Sequence, residues 1–151
     1  MPITVRSAVP ADVSAITEFN RRLALETENV TLDPAILTAG VAAILADKQR
    51  GLYFVAEAGG EVLGQLMITY EWSDWRNGWL WWLQSVYVRA DSRNRGIFRL
   101  IFDFAIAQAR AAGNVVGVRL YVERENHPAQ ATYRRLGFTE MHFDLYQKIP
   151  L

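Results

Sequence analysis

Apolar and polar positions along this chain change their repeat several times, and each change predicts an element. "ITVRSAV" alternates and predicts a first strand. Pro10 then opens a helix with Asp12 in its first turn; Val13, Ile16, Phe19 and Leu23 recur at helical spacing, and the pattern runs to about Ala24. "TLDPAILTAGVAAILADKQRG" predicts a second helix, with Asp33 as N-cap, Pro34 at the first helical position and Gly51 as the stop. "LYFVAEAGGEVLGQLMITYEW" reads as two strands joined across Gly59-Gly60. "WLWWLQSVYV" predicts a further strand, "GIFRLIFDFAIAQARAAG" a long helix ending at Gly113, and "VVGVRLYVE" another strand. "PAQATYRRLG" predicts a short helix stopped by Gly137, and "MHFDLYQKI" a closing strand. The order β-α-α-β-β-β-α-β-α-β predicts an α/β fold built on a mixed sheet, with one parallel crossover between the fourth and fifth strands. No repeat or linker interrupts residues 1–151, which read as a single domain.

All five tryptophans lie between Trp72 and Trp82. Asn77-Gly78 is a strong two-residue hairpin turn, because both residues accept positive φ. With that tip, Arg76 faces Trp79, Asp74 faces Trp81 and Trp72 faces Leu83. Trp72, Trp79 and Trp81 then share one face with Tyr70, while Trp75 and Trp82 share the other with Glu71 and Gln84. Indoles on both faces imply a hairpin covered on both sides. Core packing, a subunit contact and a substrate wall all remain open as the cover.

Composition narrows the chemistry. The 16 basic side chains balance the 16 acidic ones, so the chain lacks the broad positive field of a nucleic-acid or anionic-membrane binder. There is no cysteine, which removes disulfides, thiolate nucleophiles and Cys-ligated zinc, and the only histidines are His127 and His142. No metal site is expected. "MPITVRSAVP" lacks a basic flank followed by an apolar stretch, and no apolar run approaches the roughly 18 residues of a spanning helix. A soluble cytoplasmic protein without membrane or nucleic-acid partners is the expectation.

The informative segment is "VYVRADSRNRGIFRLIF". A strand ends at Val88, a polar loop follows, and a helix begins near Gly96. A helix N-terminus presents unsatisfied N–H groups and a partial positive charge, which together form an anion site. Arg89, Arg93, Arg95 and Arg99 add cations there, and Gly96 lets the backbone approach a ligand closely. These residues fit a phosphate site; a solvated basic turn is the alternative. No Gly-Lys-Ser/Thr follows and the three-glycine dinucleotide fingerprint is missing, so neither of those phosphate motifs applies.

"RNRGIFRLI" resembles the Arg/Gln-x-x-Gly-x-Gly/Ala signature of the GNAT acetyltransferase superfamily, and "SVYV" sits where that family places its fourth strand. Further on, "VRLYVERENHPAQATYRRLGF" is similar to the family's second half-site: a strand, an Asn-containing loop, then a helix bearing Tyr and ending in Gly-Phe. "ITVRSAVPADVSAI" matches the usual first strand and helix, so the resemblance covers nearly the whole chain. It implies acetyl-CoA bound between splayed fourth and fifth strands, with backbone groups of Val86, Tyr87 and Val88 pairing the pantetheine arm. The pyrophosphate would rest on the N–H groups of Arg93, Asn94, Arg95, Gly96, Ile97, Phe98 and Arg99. Asn126 would contact the pantetheine arm, and Tyr133 would point its hydroxyl at the thioester sulfur as general acid for the departing thiolate. The resemblance implies direct attack by an amine, with no metal, and often a homodimer. Two positions depart from the signature. Phe98 stands where the family has Gly or Ala, and its phase with Phe102, Ala105 and Ala109 predicts that it turns inward. Asn94 stands where Gly is common, and Asn tolerates left-handed backbone.

An alkyl ammonium with a pKa of about 10.4 must lose a proton before it attacks. Candidate acceptor-site carboxylates are Glu71, with Gln84 across the ladder, and Glu26 and Glu28 in the segment joining the first two helices. Asp74 and Trp72 would complete an aromatic, acidic lining suited to a cationic small molecule, polyamine-like or amino-acid-like. A protein N-terminus or lysine is the alternative acceptor, and a longer acyl group an alternative donor. A non-catalytic acyl-CoA-binding module is the alternative of a different class. His127, before Pro128, reads as a helix-cap or loop residue.

Overall fold

The computed structural model describes residues 1–151, in two compact units: Met1–Leu120 and Tyr121–Leu151. The first unit runs β1 (Thr4–Ser7), a 3-10 turn (Pro10–Asp12), α1 (Val13–Glu28), α2 (Pro34–Ala46), β2 (Leu52–Ala58) and β3 (Glu61–Ser73). It continues with β4 (Gly78–Val88), a second 3-10 turn (Ala90–Ser92), α3 (Ile97–Ala112) and β5 (Val115–Arg119). The sheet has the order β1-β2-β3-β4-β5, antiparallel through β4; β4 and β5 are parallel, joined by α3. The mixed α/β sheet and its single parallel crossover are as the residue pattern predicts.

The two faces of the sheet are covered differently. Phe54 stacks edge-on against Phe104 of α3 at 5.2 Å, and a Cβ on Gly64 would meet Ile97 at 3.1 Å and Ile101 at 3.3 Å. At Gly64, therefore, α3 packs close against β3 with little room for a side chain. On the other face Ile16, Val41, Tyr53 and Val55 form a buried cluster, packed by Val13, Leu37, Ile44 and Met67. Asp12 is buried beneath the same end, clamped by Arg6 at 2.8 and 3.0 Å while accepting from Val9 N–H at 2.8 Å.

Element boundaries differ from the sequence pattern where a short polar residue decides them. α1 runs to Glu28, not Ala24, because Asn29 takes the left-handed conformation (φ 53°) and caps the helix through Ala24 and Leu25. Glu26 and Glu28 therefore sit on the last turn of α1, not in a connecting loop. Asp33 caps α2 as expected, accepting from Ala35 and Ile36 N–H, but α2 stops at Ala46, with Asp47 closing it well before Gly51. Gly59 and Gly60 both adopt positive φ and make the β2–β3 turn.

The tryptophan hairpin has a different tip from the one expected. Ser73 pairs with Gly78 and Trp72 with Trp79, so the loop is Asp74–Trp75–Arg76–Asn77 rather than Asn77-Gly78 alone. Asn77 does take positive φ (49°), but Gly78 belongs to the strand. A Cβ on Gly78 would lie 2.5 Å from Val116 and 3.1 Å from the Asn114 carbonyl, so the glycine serves close contact with β5. The register moves by an even step, so the faces of the ladder tryptophans survive: Trp72 lies 5.1 Å from Trp79, and Tyr70 lies 6.2 Å from both Trp79 and Trp81. Trp75 leaves the ladder for the loop and is 91% exposed, and Asp74 is exposed beside it. The hairpin is not covered by its own chain on both sides.

In the second unit, α4 (His127–Arg135) is the only regular element. Asn126 caps it, accepting from Ala129 N–H at 3.2 Å; His127 is its first residue. Its end is a Schellman motif: Phe138 N–H donates to Tyr133 O, Gly137 N–H to Arg134 O, and the Tyr133 and Phe138 rings meet at 5.7 Å. The expected closing strand over "MHFDLYQKI" does not form. Alternation marks a face, but a strand exists only where backbone groups find a ladder, and no residue of 139–151 pairs in one. β5 likewise stops at Arg119, short of the "VVGVRLYVE" expected.

Candidate functional site

The C-terminal half of β4 is unlike the rest of the sheet. Gln65 pairs with Tyr87 and Met67 with Gln84, so Ser85 and Val86 together oppose Leu66: a β-bulge with Ser85 at φ 49°. Pairing with β5 covers Trp79 to Trp82 and ends at Trp82–Arg119. Beyond it, Val86 and Val88 lie on a stretch with no β5 partner. Tyr87 lies in register with Gln65, and the Val88 carbonyl accepts from Arg93 Nε at 2.9 Å. A backbone edge opened this way can ladder with an extended amide-bearing chain.

Just past this edge the backbone turns through Asn94 (φ 64°) and Gly96 (φ 75°), both left-handed, into α3. No side chain caps α3, so its first N–H groups point outward as an anion site at the positive end of a long helix. Ile97 is buried and Phe98 half-buried, 5.9 Å from Phe102. Of the expected inward stripe, Phe102, Ala105 and Ala109 are buried together with Ile97 and Ile101, while Phe98 lies at its edge, half-buried instead of buried. The arginines are mostly compensated. Arg89 meets Asp91 at 2.6 Å and Glu61 at 3.1 Å, Arg93 meets Glu26 at 2.8 Å, and Arg99 meets Asp103 at 2.9 Å, leaving exposed Arg95 as the uncompensated cation. Asp91 lies within the basic run itself, while Glu26, Glu61 and Asp103 come from outside it.

Glu26 ties α1 to this junction. One oxygen accepts from Arg93; the other accepts from the Tyr87 hydroxyl at 3.1 Å, and the Arg93 guanidinium lies 5.2 Å from the Tyr87 ring centre. The Arg93 bond, helped by the Tyr87 hydroxyl, holds the Glu26 carboxyl below its usual range, while burial raises the Tyr87 phenol. A carboxylate held low in this way is a poor base but a steady negative charge.

On the face shared with α1, β3, β4 and β5 bring together side chains that the sequence separates. Glu71 accepts from Trp82 Nε1 at 2.9 Å and from Arg119 at 3.0 and 3.2 Å. Gln84 donates to Thr69 Oγ1 at 2.6 Å, while Glu71 stands opposite Leu80. Gln84 is thus not across the ladder from Glu71, as the expected register had it. Arg119 and Thr69 escaped the sequence reading. Arg119 is the one charged residue in an otherwise apolar or glycine strand, but only the correct register shows that it meets Glu71. Trp72 is 49% exposed on the opposite face, away from this cluster. Glu28 is exposed at the end of α1.

In the second unit, the Schellman motif fixes Tyr133, and burial pushes its phenol above the ordinary value. Such a phenol holds its proton throughout the neutral range. The Asn126 side-chain oxygen is engaged in capping α4. No group of His, Asp and Glu residues could hold a metal ion, and no helix is long and apolar enough to cross a membrane.

The model of the acetyltransferase (GNAT) family matches residues 16–138. A possible acetyltransferase from Clostridium difficile 630 is 43% identical and superposes with a TM-score of 0.92, covering 100% of this chain and 99% of that one. A predicted acetyltransferase with acetyl-CoA from Clostridium acetobutylicum superposes at 0.79 with 18% identity, covering 98% of this chain and 97% of that one. The ribosomal-protein-alanine N-acetyltransferase of Brucella melitensis biovar Abortus 2308 superposes at 0.78 with 13% identity, covering 97% and 98%. The last two share the fold. No curated protein matches the chain.

Proposed function

This chain belongs to the acetyltransferase (GNAT) family, and on that premise we propose that it moves the acetyl group of acetyl-CoA onto the amine of a small cationic or amino-acid-like molecule. The observation that carries the reading is the junction of β4 and α3: a strand edge without a β5 partner leads directly into an uncapped helix N-terminus. The edge suits the amides of a pantetheine arm, and the N–H groups with Arg95 suit a diphosphate.

Bound acetyl-CoA supplies an activated acetyl carbonyl. The amine nitrogen bonds to that carbon, the C–S bond breaks, and the thiolate takes the proton of the Tyr133 hydroxyl, which is then restored from solvent. Glu26, Glu28 and Glu71 draw the ammonium form toward the site. The oxygens of Glu71 already accept from Arg119 and Trp82, and those of Glu26 from Arg93 and Tyr87, which favours recognition over proton abstraction for both. Exposed Glu28 is the carboxylate to pass the amine proton to water. Thr69, Gln84 and Arg119 offer partners for a polar or carboxylate end of the acceptor. Working in the cytoplasm, the enzyme acts as a homodimer, with Trp75 at the hairpin tip as the side chain that a second copy covers.

Thiol release from acetyl-CoA against a panel of amines tests the reading. Turnover on at least one amine is expected, and Tyr133→Phe should lower it by about 100-fold or more while leaving coenzyme affinity nearly unchanged. An unaltered rate removes Tyr133 from the chemistry. Coenzyme binding with no turnover on any amine, peptides included, identifies a binding module instead.

A further inference from the structure

Gln65 is an anomaly in the middle of β3. It is 0% exposed, between Gly64 and the fully buried Leu66, in a stretch of β3 where the other large buried side chains, Leu63, Leu66 and Ile68, are apolar. An amide in such a place is costly unless its hydrogen bonds are made, and the Gln65 side-chain oxygen has no partner. A methionine or leucine would pack there without that defect. The useful end of the side chain is therefore its NH2 group.

That group donates to the Ser85 carbonyl at 3.0 Å and to Asn20 Oδ1 at 2.9 Å; Asn20 Nδ2 donates in turn to the Tyr53 hydroxyl at 3.0 Å. A backbone carbonyl can only accept, so the Ser85 oxygen fixes which end of the Gln65 amide faces it. Asn20 must then offer its oxygen to Gln65 and its nitrogen to Tyr53. The chain of bonds runs from α1 and β2 through β3 to one atom of β4.

Ser85 is the bulged residue. It holds a left-handed conformation that a residue with a side chain adopts only when its surroundings insist, at a position where such bulges favour glycine. Pairing with β5 ends at Trp82 and the bulge comes three residues later, so it lies within the uncovered part of β4, just before Val86–Val88. We infer that Gln65, anchored by Asn20 and Tyr53, is a positioning residue for the coenzyme slot: its buried NH2 group hooks the Ser85 carbonyl and sets the bulge that opens the Val86–Val88 edge. The inference rests on the reading of that edge as the seat of acetyl-CoA.

The test uses the full chain and three measurements: calorimetric affinity for CoA, thermal midpoint, and backbone amide exchange over residues 85–88. Gln65→Met should weaken CoA binding by tenfold or more and change the exchange of Val86, Tyr87 and Val88. Val41→Ala, a truncation in the buried cluster of the same face that leaves the Gln65, Asn20 and Tyr53 side chains in place, should lower the midpoint while leaving affinity within twofold and exchange at 85–88 as in the wild type. Adding Ser85→Gly to Gln65→Met should recover much of the affinity, because glycine holds the bulge without the hook; a merely structural glutamine would show no such rescue. If Gln65→Met does not fold, Gln65→Asn, one methylene too short to reach Ser85, should show the same weakening. Unchanged affinity and exchange in a folded Gln65 variant overturns the inference, as does an equal loss of affinity in Val41→Ala. Should the wild type itself ignore CoA, the functional reading fails, and the exchange at 85–88 still decides whether Gln65 sets the bulge.

Discussion

From Gly78 to Trp82, β4 is held on both sides: β3 pairs with it throughout, β5 pairs from Trp79, and Trp79 N–H donates to the Asn114 carbonyl at 2.9 Å. From Ser85 to Val88 the same strand is held on one side only and carries a bulge. The first half spends its residues on size, with Trp79, Trp81 and Trp82 filling space and Trp82 donating to Glu71. The second half spends them on backbone, with smaller side chains and polar main-chain groups left for something other than β5. One strand thus joins a rigid clamp to a receptive edge. Damage to the clamp should read out as stability, and damage to the edge as coenzyme affinity.

The largest effect expected is on the clamp. Gly78→Val places carbon against Val116 and the Asn114 carbonyl, and should cost about 2–3 kcal/mol in denaturant unfolding. Coenzyme affinity in the folded fraction should stay within about twofold, less than 0.5 kcal/mol; a larger loss would mean that the two halves are not separable. Next, Arg119→Met removes the cation that joins β5 to Glu71 of β3, and should cost about 1–2 kcal/mol in the same measurement. It should also raise the KM of any acceptor bearing a carboxylate while sparing that of acetyl-CoA.

On the edge side, Gly96→Ala has open space for its methyl but must hold φ 75°. It should cost about 1 kcal/mol of stability. Its larger signature should be a coenzyme dissociation constant raised about tenfold, 1.4 kcal/mol, because the N–H groups of α3 lose their aim. The smallest effect concerns pH. Glu26, held low chiefly by the Arg93 bond, stabilises the fold above its ordinary value near 4.5, and that contribution disappears as pH falls through its folded value. The pair is partly exposed, so about 0.5 kcal/mol is at stake. Unfolding free energies of wild type and Glu26→Gln should differ by that amount at pH 7 and converge in acid. A difference that persists in acid below the folded value of Glu26 would assign the effect to shape instead of charge.

Much of the clamp and the junction was legible in sequence because it depends on local rules. Asp33-Pro34 starts α2, Gly59-Gly60 turns β2 into β3, and Gly113 stops α3, each by its own backbone preference. The turn-to-helix junction at Gly96 followed from the end of an apolar run meeting a polar loop. What escaped depends on partners distant in sequence. Asn77-Gly78 offered a good two-residue turn, but Gly78 is reserved for close contact with Val116, and the tip grew to four residues. The arginine run looked like a positive patch because Glu61, Glu26 and Asp103 lie outside it. Gln65 and Ser85 carried no local sign of a bulge, since the bond between them crosses from one strand to the next. The alternating segment after Gly137 predicted a strand, but alternation cannot supply the neighbouring backbone that a ladder requires.

The claim on which all of this turns is that the open half of β4 and the start of α3 together seat a coenzyme. Isothermal titration of the folded chain with CoA tests it directly. One saturable event per chain is expected, weakened by salt as a diphosphate on N–H groups and Arg95 should be; no saturable heat at coenzyme concentrations up to about 1 mM, the weakest affinity worth the name for such a site, would contradict it.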